Sequence, residues 1–249
     1  VAVGDRVTVG DVPSPDGVYY IVAISPRDNY IIRRASNLSK ESHIIAANID
    51  QAVLVMTLAH PTTATMFVDR FLATAEAYRV KAVLLINKVD LLTDCEDIEL
   101  LDAFSYLYRS IGYDVLHVSA KTGAGMDAVR EMMGGRITLF SGNSGVGKST
   151  LINDLIPGLD LRTAEISHTH DAGMHTTTFS EMFFLPGGRD AGAVIDTPGV
   201  RGFGTIDFDR HEVGHFFPEI FRESANCRFG DCTHTHEPGC AVLEAVGEN

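Results

Sequence analysis

The chain has 249 residues, of which 45% are hydrophobic and 21% are charged, and its formal net charge is −13. Such a composition can bury a substantial core, which excludes a disordered or fibrous protein. Its apolar runs are far shorter than the roughly 18 to 20 residues of a membrane-spanning helix, so we predict a soluble protein. The acidic balance argues against a general polyanion binder, because nonspecific nucleic-acid affinity depends on Lys and Arg.

The first 45 residues contain short β-type runs separated by turn-forming residues. These runs are Arg6–Val9, Val18–Ile24 and Tyr30–Arg33, with Pro, Gly and Asn residues between them. Such spacing predicts a small antiparallel β unit, which we assign to residues 1–47.

From Asp50 onward, buried apolar runs alternate with longer stretches of helical periodicity. The predicted strands are Ala52–Thr57, Ala82–Ile86, Val115–Val118, Ile137–Ser141 and Ala193–Ile195, and the clearest helices are Ala64–Arg79 and Ile98–Ile111. This alternation is typical of an α/β fold with a doubly wound, mostly parallel sheet, which we assign to residues 48–207. A cysteine-rich third segment, residues 208–249, follows.

Residues 142–149 match the phosphate-binding pattern G-x-x-x-x-G-K-[ST], between a predicted strand and the helical run Thr150–Ile156. Glycines allow a tight loop whose backbone N–H groups face phosphate, and the helix N-terminus favours negative charge. We expect Lys148 to reach the β- and γ-phosphates of a nucleotide and Ser149 to bind Mg²⁺.

A second phosphate motif, Asp196-Thr197-Pro198-Gly199, follows the predicted strand that ends at Ile195. At this position an acid can hold the Mg²⁺ shell and a glycine N–H can sense the γ-phosphate. We therefore assign these roles to Asp196 and Gly199.

Two further motifs predict guanine as the base. The carboxylate of Asp90, in Asn87-Lys88-Val89-Asp90, can accept hydrogen bonds from the ring N–H and the amino group of guanine, whereas adenine would leave it unpaired. We expect Asn87 to tie the loop, the stem of Lys88 to lie on the base, and the N–H of Ala120, in Ser119-Ala120-Lys121, to reach the guanine oxygen.

These motifs stand in an unusual order, because the two base-recognition motifs precede the phosphate motifs. A parallel sheet builds its site from spatial neighbours, so moving the chain ends preserves the pocket. The order therefore resembles that of circularly permuted GTPases.

The segment Gly173–Thr178 lies where a threonine is expected to close over Mg²⁺ and the γ-phosphate. We select Thr177, with Thr176 as the nearest alternative, although this Thr run also suits the start of a β-strand. Val200 stands where Ras-like enzymes have a water-orienting glutamine. Either hydrolysis is slow or another group acts, and His175 is the best candidate.

Three cysteines and a histidine cluster near the end of the chain, at Cys227, Cys232, His234 and Cys240. Three thiolates and an imidazole suit tetrahedral Zn²⁺, and four protein ligands indicate one structural ion. His236 is a rival ligand, and an iron cluster or unligated cysteines are alternatives. This cluster, without a paired-cysteine framework or a visible secretory signal, favours a reducing, cytoplasmic location.

The permuted motifs, followed by CRFGDCTHTHEPGCAV and preceded by a β-rich leader, resemble the ribosome small-subunit-dependent GTPase A family. The resemblance implies an N-terminal OB-fold, a permuted GTPase domain and a C-terminal zinc domain. An OB-fold needs five strands and the β-rich leader supplies about three, so we expect a partial barrel. Only nine residues follow Cys240, so we expect a shortened zinc domain.

The resemblance also implies hydrolysis of GTP to GDP, stimulated by the small ribosomal subunit, in the late maturation of that subunit. The implied partners are the subunit and its 16S rRNA, for a protein that is itself a monomer. The catalytic residues would be His175, Thr177 and Lys148, and Mg²⁺ would be held by Ser149 and Thr177. Nucleotide would be bound by Asn87, Lys88, Asp90, Ser119, Ala120, Lys121, Gly142, Asn143, Ser144, Gly145, Val146, Gly147, Lys148, Ser149, Thr150, Asp196 and Gly199.

Two other functions fit parts of the sequence. One is a GTP-dependent binding module with negligible turnover, as the absent glutamine suggests. The other is a GTP-dependent metal-delivery protein, in which the cysteine cluster carries exchangeable metal.

Overall fold

Two antiparallel strand pairs begin the chain in the computed structural model, which describes residues 1–34, 42–161, 180–197 and 208–247. Strand β1 (Val7–Val9) pairs with β2 (Ile21–Ile24), and β3 (Tyr30–Arg34) pairs with β4 (Ser42–Ala47). The predicted antiparallel pairing is present, but β4 was missed and the described strands form two separate sheets. A partial OB-fold in residues 1–47 therefore stays a prediction.

A six-stranded sheet forms the centre of the molecule and confirms the predicted doubly wound α/β architecture. Its strand order is β7-β6-β5-β8-β10-β9, and all neighbours are parallel except β9 with β10. In chain order, the elements are β5 (Gln51–Met56), α1 (Thr65–Ala77), β6 (Lys81–Ile86), α2 (Cys95–Ile111), β7 (Asp114–His117), α3 (Met126–Met133), β8 (Ile137–Ser141), α4 (Lys148–Leu155), β9 (Glu181–Phe184) and β10 (Ala193–Asp196).

Both faces of this sheet are covered, which explains why its central strands are continuous apolar runs. Successive side chains of β5 enter different cores: Leu54 packs in a cluster with Phe71 of α1, and Val55 packs in a cluster with Leu151 of α4. Alternation of side chains across a strand produces this division, and burial on both faces favours β-branched and aliphatic residues.

Helix α2 shows how local chemistry sets the ends of an element. Asp94 caps its first turn by accepting a hydrogen bond from the N–H of Asp97 at 2.8 Å, and Gly112 ends it in the left-handed region at φ 116°. The helix therefore begins three residues before the predicted start at Ile98, because the cap lies upstream of the apolar periodicity.

The sheet reverses its winding direction between β5 and β8. From β5 the chain proceeds to β6 and β7 on one side, and β8 then returns to the other side of β5. Parallel strands place their carboxyl ends at one edge, and ligands of such sheets bind outside that edge at the reversal point. The carboxyl ends of β5, β6, β7, β8 and β10 all lie at that edge.

The C-terminal segment packs against the helical layer on one face of the sheet. It contains a 3-10 helix (Val213–Phe216), α5 (Pro218–Ser224) and α6 (Ala241–Gly247), and the 3-10 helix contacts α1. Burial raises the pKa of Tyr108 in α2, as do its hydrogen bond to Asp69 and the nearby charge of Glu219 in α5. Within the described residues, no helix combines the length and the hydropathy needed to cross a bilayer.

Candidate functional site

The loop between β8 and α4 has the geometry of a phosphate cradle. Helix α4 begins at Lys148 with no side-chain cap, so its first N–H groups are free to face an anion. Gly142 adopts φ 155°, and a Cβ on it would lie 2.4 Å from the carbonyl oxygen of Val55. Only glycine fits at this close approach between the loop and β5.

Asn87 ties the phosphate loop to the two base-recognition loops. Its side chain is buried, its Nδ2 donates to the carbonyl of Val146 at 2.8 Å, and its Oδ1 accepts from the N–H of Ala120 at 3.1 Å. A Cβ on Gly147 would lie 2.4 Å from Asn87 Nδ2, and Gly147 has φ 91°. These contacts are the kind expected of a residue that ties the loops together. The N–H of Ala120, which we expected to reach the guanine oxygen, donates to Asn87 in this structure.

A cavity of 230 Å³ lies between these loops. Asp90 lines this cavity, and its Oδ1 accepts a hydrogen bond from the hydroxyl of Ser119 at 2.6 Å. No described residue donates to the other carboxylate oxygen of Asp90. Such an oxygen suits a ring N–H or an amino group of a base. The cavity is lined by Asn87, Lys88, Asp90, Leu91, Ala120, Lys121, Gly147 and Thr150.

Lys88 links the phosphate loop to the loop that follows β5. Its ammonium donates to the carbonyl of Gly145 at 2.7 Å and to the carbonyl of His60 at 2.5 Å. The residue lies in the left-handed region at φ 65°, which turns the chain sharply after β6. Lys88 also lines the cavity, and the contact of its aliphatic stem with a base stays a prediction.

Lys148 and Asp196 meet at the phosphate end of the site. The Lys148 ammonium forms an ion pair with Asp196 Oδ1, so the two groups assigned to phosphate and Mg²⁺ neutralise each other in this structure. Next to them, the buried Thr197 hydroxyl donates to the carbonyl of Phe140 at 3.0 Å and fixes the end of β10 against β8.

The remaining predicted nucleotide residues divide into two groups. Ser149 is half-buried near the start of α4, and Asn143, Ser144 and Thr150 are exposed around the loop. The predicted Thr177, His175 and Gly199 lie outside the described residues, as do Thr176 and Val200. The magnesium and catalytic assignments that depend on them stay predictions.

Sequence reasoning missed the contribution of the loop after β5. Thr57 and Thr63 close this loop through hydrogen bonds of 2.9 and 3.2 Å between the two residues, and Thr57 also bonds the carbonyl of Pro61. The loop thereby presents the His60 carbonyl to Lys88. The polar and proline residues of this loop are typical of any connection, so they gave no signal. The role of Thr197 was also missed, because only the aspartate and the glycine of its motif were assigned functions.

The four predicted metal ligands converge in the C-terminal segment. The ligand atoms of Cys227, Cys232, His234 and Cys240 all lie within 4.8 Å of one another. Cys227 Sγ is 4.0 Å from Cys240 Sγ, and His234 Nδ1 is 3.7 Å from Cys227 Sγ and 3.4 Å from Cys240 Sγ. Tetrahedral zinc would separate its sulfur ligands by about 3.8 Å and sulfur from nitrogen by about 3.5 Å, so the donor set fits this ion.

The surroundings of the thiols favour the metal-binding thiolate at Cys227 but disfavour it at Cys232. Burial raises the pKa of Cys227, but the N–H groups of Val242 and Ala241, with the neighbouring thiols, bring it below its ordinary value. Burial raises the pKa of Cys232 to about 11 despite a bond from the N–H of His234. A bound dication would deprotonate both thiols.

The rival ligand His236 bonds a neighbouring hydroxyl instead of joining the cluster. Its Nδ1 lies 2.8 Å from the hydroxyl of Thr235, and it is not among the four converging residues. His234, with φ 57°, therefore supplies the nitrogen donor of this cluster.

Comparisons with known proteins identify one family. A family model described as RsgA GTPase matches residues 24–206. The small ribosomal subunit biogenesis GTPase RsgA of Bacteroides fragilis is 59% identical over 249 residues, which are 100% of this chain and 78% of the relative. The protein of that name from Porphyromonas gingivalis is 58% identical over 246 residues, which are 99% of this chain and 78% of the relative.

Two solved structures share the fold. YjeQ from Thermotoga maritima superposes with a TM-score of 0.77 at 35% identity, covering 100% of this chain and 78% of that protein. YloQ, described as a circularly permuted GTPase, superposes with a TM-score of 0.72 at 29% identity, covering 98% and 73%. A circularly permuted GTPase is thus among the solved relatives, and this chain belongs to the RsgA GTPase family.

Proposed function

We propose that this protein hydrolyses GTP to GDP and phosphate in the biogenesis of the small ribosomal subunit. The observation that carries the proposal is the preformed cavity at the reversal point of the sheet, where Asp90 faces a space of 230 Å³ beside the phosphate loop. The names of the relatives, which describe small ribosomal subunit biogenesis, support the biological context.

In this proposal the cavity selects guanine. The free oxygen of Asp90 accepts from the base, while Ser119 holds the carboxylate in place through its hydroxyl. Adenine offers a lone pair where guanine offers an N–H, so it would leave a desolvated carboxylate unpaired. Asn87 keeps the cavity and the phosphate loop in a fixed relationship through its bonds to Val146 and Ala120.

The phosphate end of the site would bind the triphosphate and Mg²⁺. Lys148 would leave Asp196 for the β- and γ-phosphates, and Ser149, Thr177 and Asp196 would hold the ion or its water shell. When bound, Mg²⁺ neutralises charge on the phosphate oxygens. The half-buried Ser149 and Asp196 offer the oxygen ligands that this ion prefers.

Hydrolysis requires a group that orients water, and we assign this role to His175. A neutral imidazole near the γ-phosphate can orient water or accept its proton, and Val200 offers no such group. If the small subunit completes the site, stimulation of about 10³- to 10⁵-fold would match what one supplied group achieves in other GTPases.

The cysteine cluster would hold one structural zinc ion. Four protein donors leave no open position, which disfavours both a catalytic metal and a metal-delivery role. We further propose that the protein works as a monomer in the cytoplasm, where its partners are the small subunit and the 16S rRNA.

The test is GTP turnover by the purified protein with and without small ribosomal subunits. We expect slow turnover alone and strong stimulation by the subunit, and His175→Ala should abolish stimulation while GTP binding persists. Turnover that stays near zero in both conditions would instead indicate a binding module. Unchanged stimulated turnover in His175→Ala would remove that residue from the mechanism.

A further inference from the structure

The loop that follows β5, residues 57–63, is bonded to itself at its two ends. Thr57 begins this 57–63 loop and is fully buried, and Thr63, with 5% of its surface exposed, ends it. The N–H of Thr63 donates to the carbonyl of Thr57 at 2.9 Å, and the N–H of Thr57 donates to the Thr63 hydroxyl at 3.2 Å. These contacts lie within the protein, so the loop holds its shape without a ligand.

The hydroxyl of Thr57 fixes the part of the loop that faces the phosphate loop. It donates to the carbonyl of Pro61, four residues further along the chain. The ring of Pro61 lies beside the phosphate loop, since a Cβ added to Gly145 would be 3.6 Å from the Pro61 Cδ. One buried hydroxyl thereby sets the position of a turn that touches the phosphate-binding segment.

The same part of the loop supplies one of the two carbonyl oxygens that hold the ammonium of Lys88. This ammonium donates to His60 at 2.5 Å and to Gly145 at 2.7 Å. Among the described residues, no carboxylate forms an ion pair with Lys88, so the two carbonyls determine its position. Hydrogen bonds from a charged donor are stronger than those between neutral groups, and displacement of the His60 carbonyl would release the ammonium.

Lys88 connects the 57–63 loop to both parts of the site assigned to GTP. It lines the 230 Å³ cavity assigned to guanine, and it holds the carbonyl of Gly145 in the phosphate loop. A loop whose carbonyl oxygens are already bonded keeps a fixed shape, and such preorganisation raises affinity because less order must be created on binding. The 57–63 loop therefore acts on the nucleotide site through Lys88.

We propose that Thr57 is a positioning residue for the guanine nucleotide, because its hydroxyl sets the turn that holds Lys88 and, through Lys88, the phosphate loop. Thr57 does not line the cavity, so it acts through another residue. The inference rests on the proposed function, since it concerns the site assigned to GTP. It gives a role to a loop that none of the nucleotide-binding motifs includes. Loss of this hydroxyl should mainly accelerate nucleotide release, because changes in affinity usually reside in the dissociation rate.

The test measures the release of a fluorescent GDP analogue from the whole protein after addition of excess unlabelled GDP. Thr57→Val nearly keeps the shape of the side chain and removes its hydroxyl, so we expect release to become about tenfold faster. Thr57→Ser keeps the hydroxyl and should stay within about twofold of the unmodified protein. In GTP turnover with small subunits, Thr57→Val should raise KM about tenfold and change kcat less than about twofold, because the lost binding is uniform.

Thr74→Val is the matched control. Thr74 is also buried, at 1% exposed, and its hydroxyl donates to the carbonyl of Arg70 within α1 at 2.7 Å. The control removes the same type of hydrogen bond from a residue outside the cavity lining. We expect both valine variants to lose a few degrees in Tm, while only Thr57→Val releases nucleotide faster. Equal acceleration in Thr74→Val would overturn the proposal, because the effect would then follow from stability alone.

A double-mutant cycle tests whether Thr57 acts through Lys88. Lys88→Met keeps the long stem and removes the ammonium, so adding Thr57→Val to it should accelerate release by less than about twofold. Should Thr57→Val fail to fold, Thr63→Val removes the other loop hydroxyl and should accelerate release about threefold.

Three results would overturn the proposal: an unchanged release rate in the valine variants of the loop, equal rates in Thr57→Ser and Thr57→Val, or a full tenfold acceleration by Thr57→Val in the Lys88→Met background. The last result would show that Thr57 acts without Lys88. An unmodified protein that binds no guanine nucleotide would contradict the proposed function itself.

Discussion

Lys148 and Asp196 form an ion pair that joins the start of α4 to the end of β10. Their side chains are only 12% and 18% exposed, so water screens the pair less than it screens an ion pair on the surface. Each partner is assigned to a different part of the bound nucleotide and its magnesium. In the proposed mechanism a nucleotide would have to compete with Asp196 for Lys148, and magnesium would neutralise the carboxylate that Lys148 leaves.

This relationship predicts how Asp196→Asn alters the magnesium dependence of binding. The variant should lose about 10- to 100-fold in magnesium-dependent GTP affinity, while its affinity for GDP without magnesium should be retained or improved because Lys148 is released. Calorimetry with and without Mg²⁺ measures both effects. Lys81→Ala, which removes the exposed ion pair with Asp114, is the control and should change neither affinity. Equal losses with and without magnesium would contradict the prediction.

Asp90→Asn should change the choice of base. An amide cannot accept both donors of guanine as a carboxylate does, but it can donate to the carbonyl that xanthine carries in place of the amino group. We expect GTP affinity to fall about 100-fold and xanthosine triphosphate to bind better than GTP. Competition binding with GTP, ATP and xanthosine triphosphate tests this. Unaltered selectivity would show that Asp90 does not contact the base.

Gly147→Ala should abolish nucleotide binding, because the new Cβ would lie 2.4 Å from Asn87 Nδ2. The matched control is Gly158→Ala, since Gly158 has nearly the same φ, 90°, but no atom within 4 Å of the added Cβ. Both variants place alanine at nearly the same positive φ, so the close contact with Asn87 is the main difference between them. We expect at least a 100-fold loss of GTP affinity for the first and a fall of a few degrees in Tm for both. Similar affinities in the two variants would disprove the role of this contact.

His234→Ala should remove the metal, whereas His236→Ala should not. Only His234 faces the thiols, and loss of one ligand leaves a site with three donors. Metal analysis should find one zinc ion per chain in His236→Ala and substantially less in His234→Ala. Amide hydrogen exchange should then rise across α5 and α6, because the metal closes this small segment. Metal loss in His236→Ala alone would reverse the ligand assignment.

The pair formed by Asp5 and Arg27 predicts a loss of stability in acid. Two hydrogen bonds of 2.6 and 2.8 Å from Arg27 lower the pKa of Asp5 from 3.8 to about 2. A lowered pKa in the folded state stabilises the protein above pH 4, and this contribution is lost as the pH falls from about 4 to about 2.

The contribution corresponds to about 2 kcal/mol of unfolding free energy at neutral pH. Asp5→Asn should be less stable by about that amount at pH 7, and the difference should shrink as the pH falls toward 2. Urea unfolding between pH 7 and pH 2 checks this. Asp28→Asn is the control, since Asp28 pairs with Arg6 on the surface and should show little effect. A constant difference for Asp5→Asn across the range would contradict the linkage.

Much of the sheet was predictable because its strands are buried on both faces. Residues such as Val53 and Leu84 belong to uninterrupted apolar runs that no exposed element would carry, and the runs matched β5 and β6 within one residue. Helix α3 was missed because its eight residues offer little more than two turns of periodicity. Strand β4 was missed because its sequence, SHIIAA, contains only two β-branched residues and therefore gives a weak strand signal.

The sequence by itself predicted the chemistry of this protein: the residues proposed to bind phosphate, the carboxylate proposed to recognise the base, and the four side chains that suit a metal. These predictions depend on residue type and on short spacings, and both can be seen directly in the sequence. Only the tertiary structure decided which groups meet across long separations. Asn87 forms hydrogen bonds with both Val146 and Ala120, and Lys148 forms an ion pair with Asp196. Arg210 and His234 line the same pocket of the C-terminal segment. These residues meet because the fold brings together loops that lie far apart in the sequence.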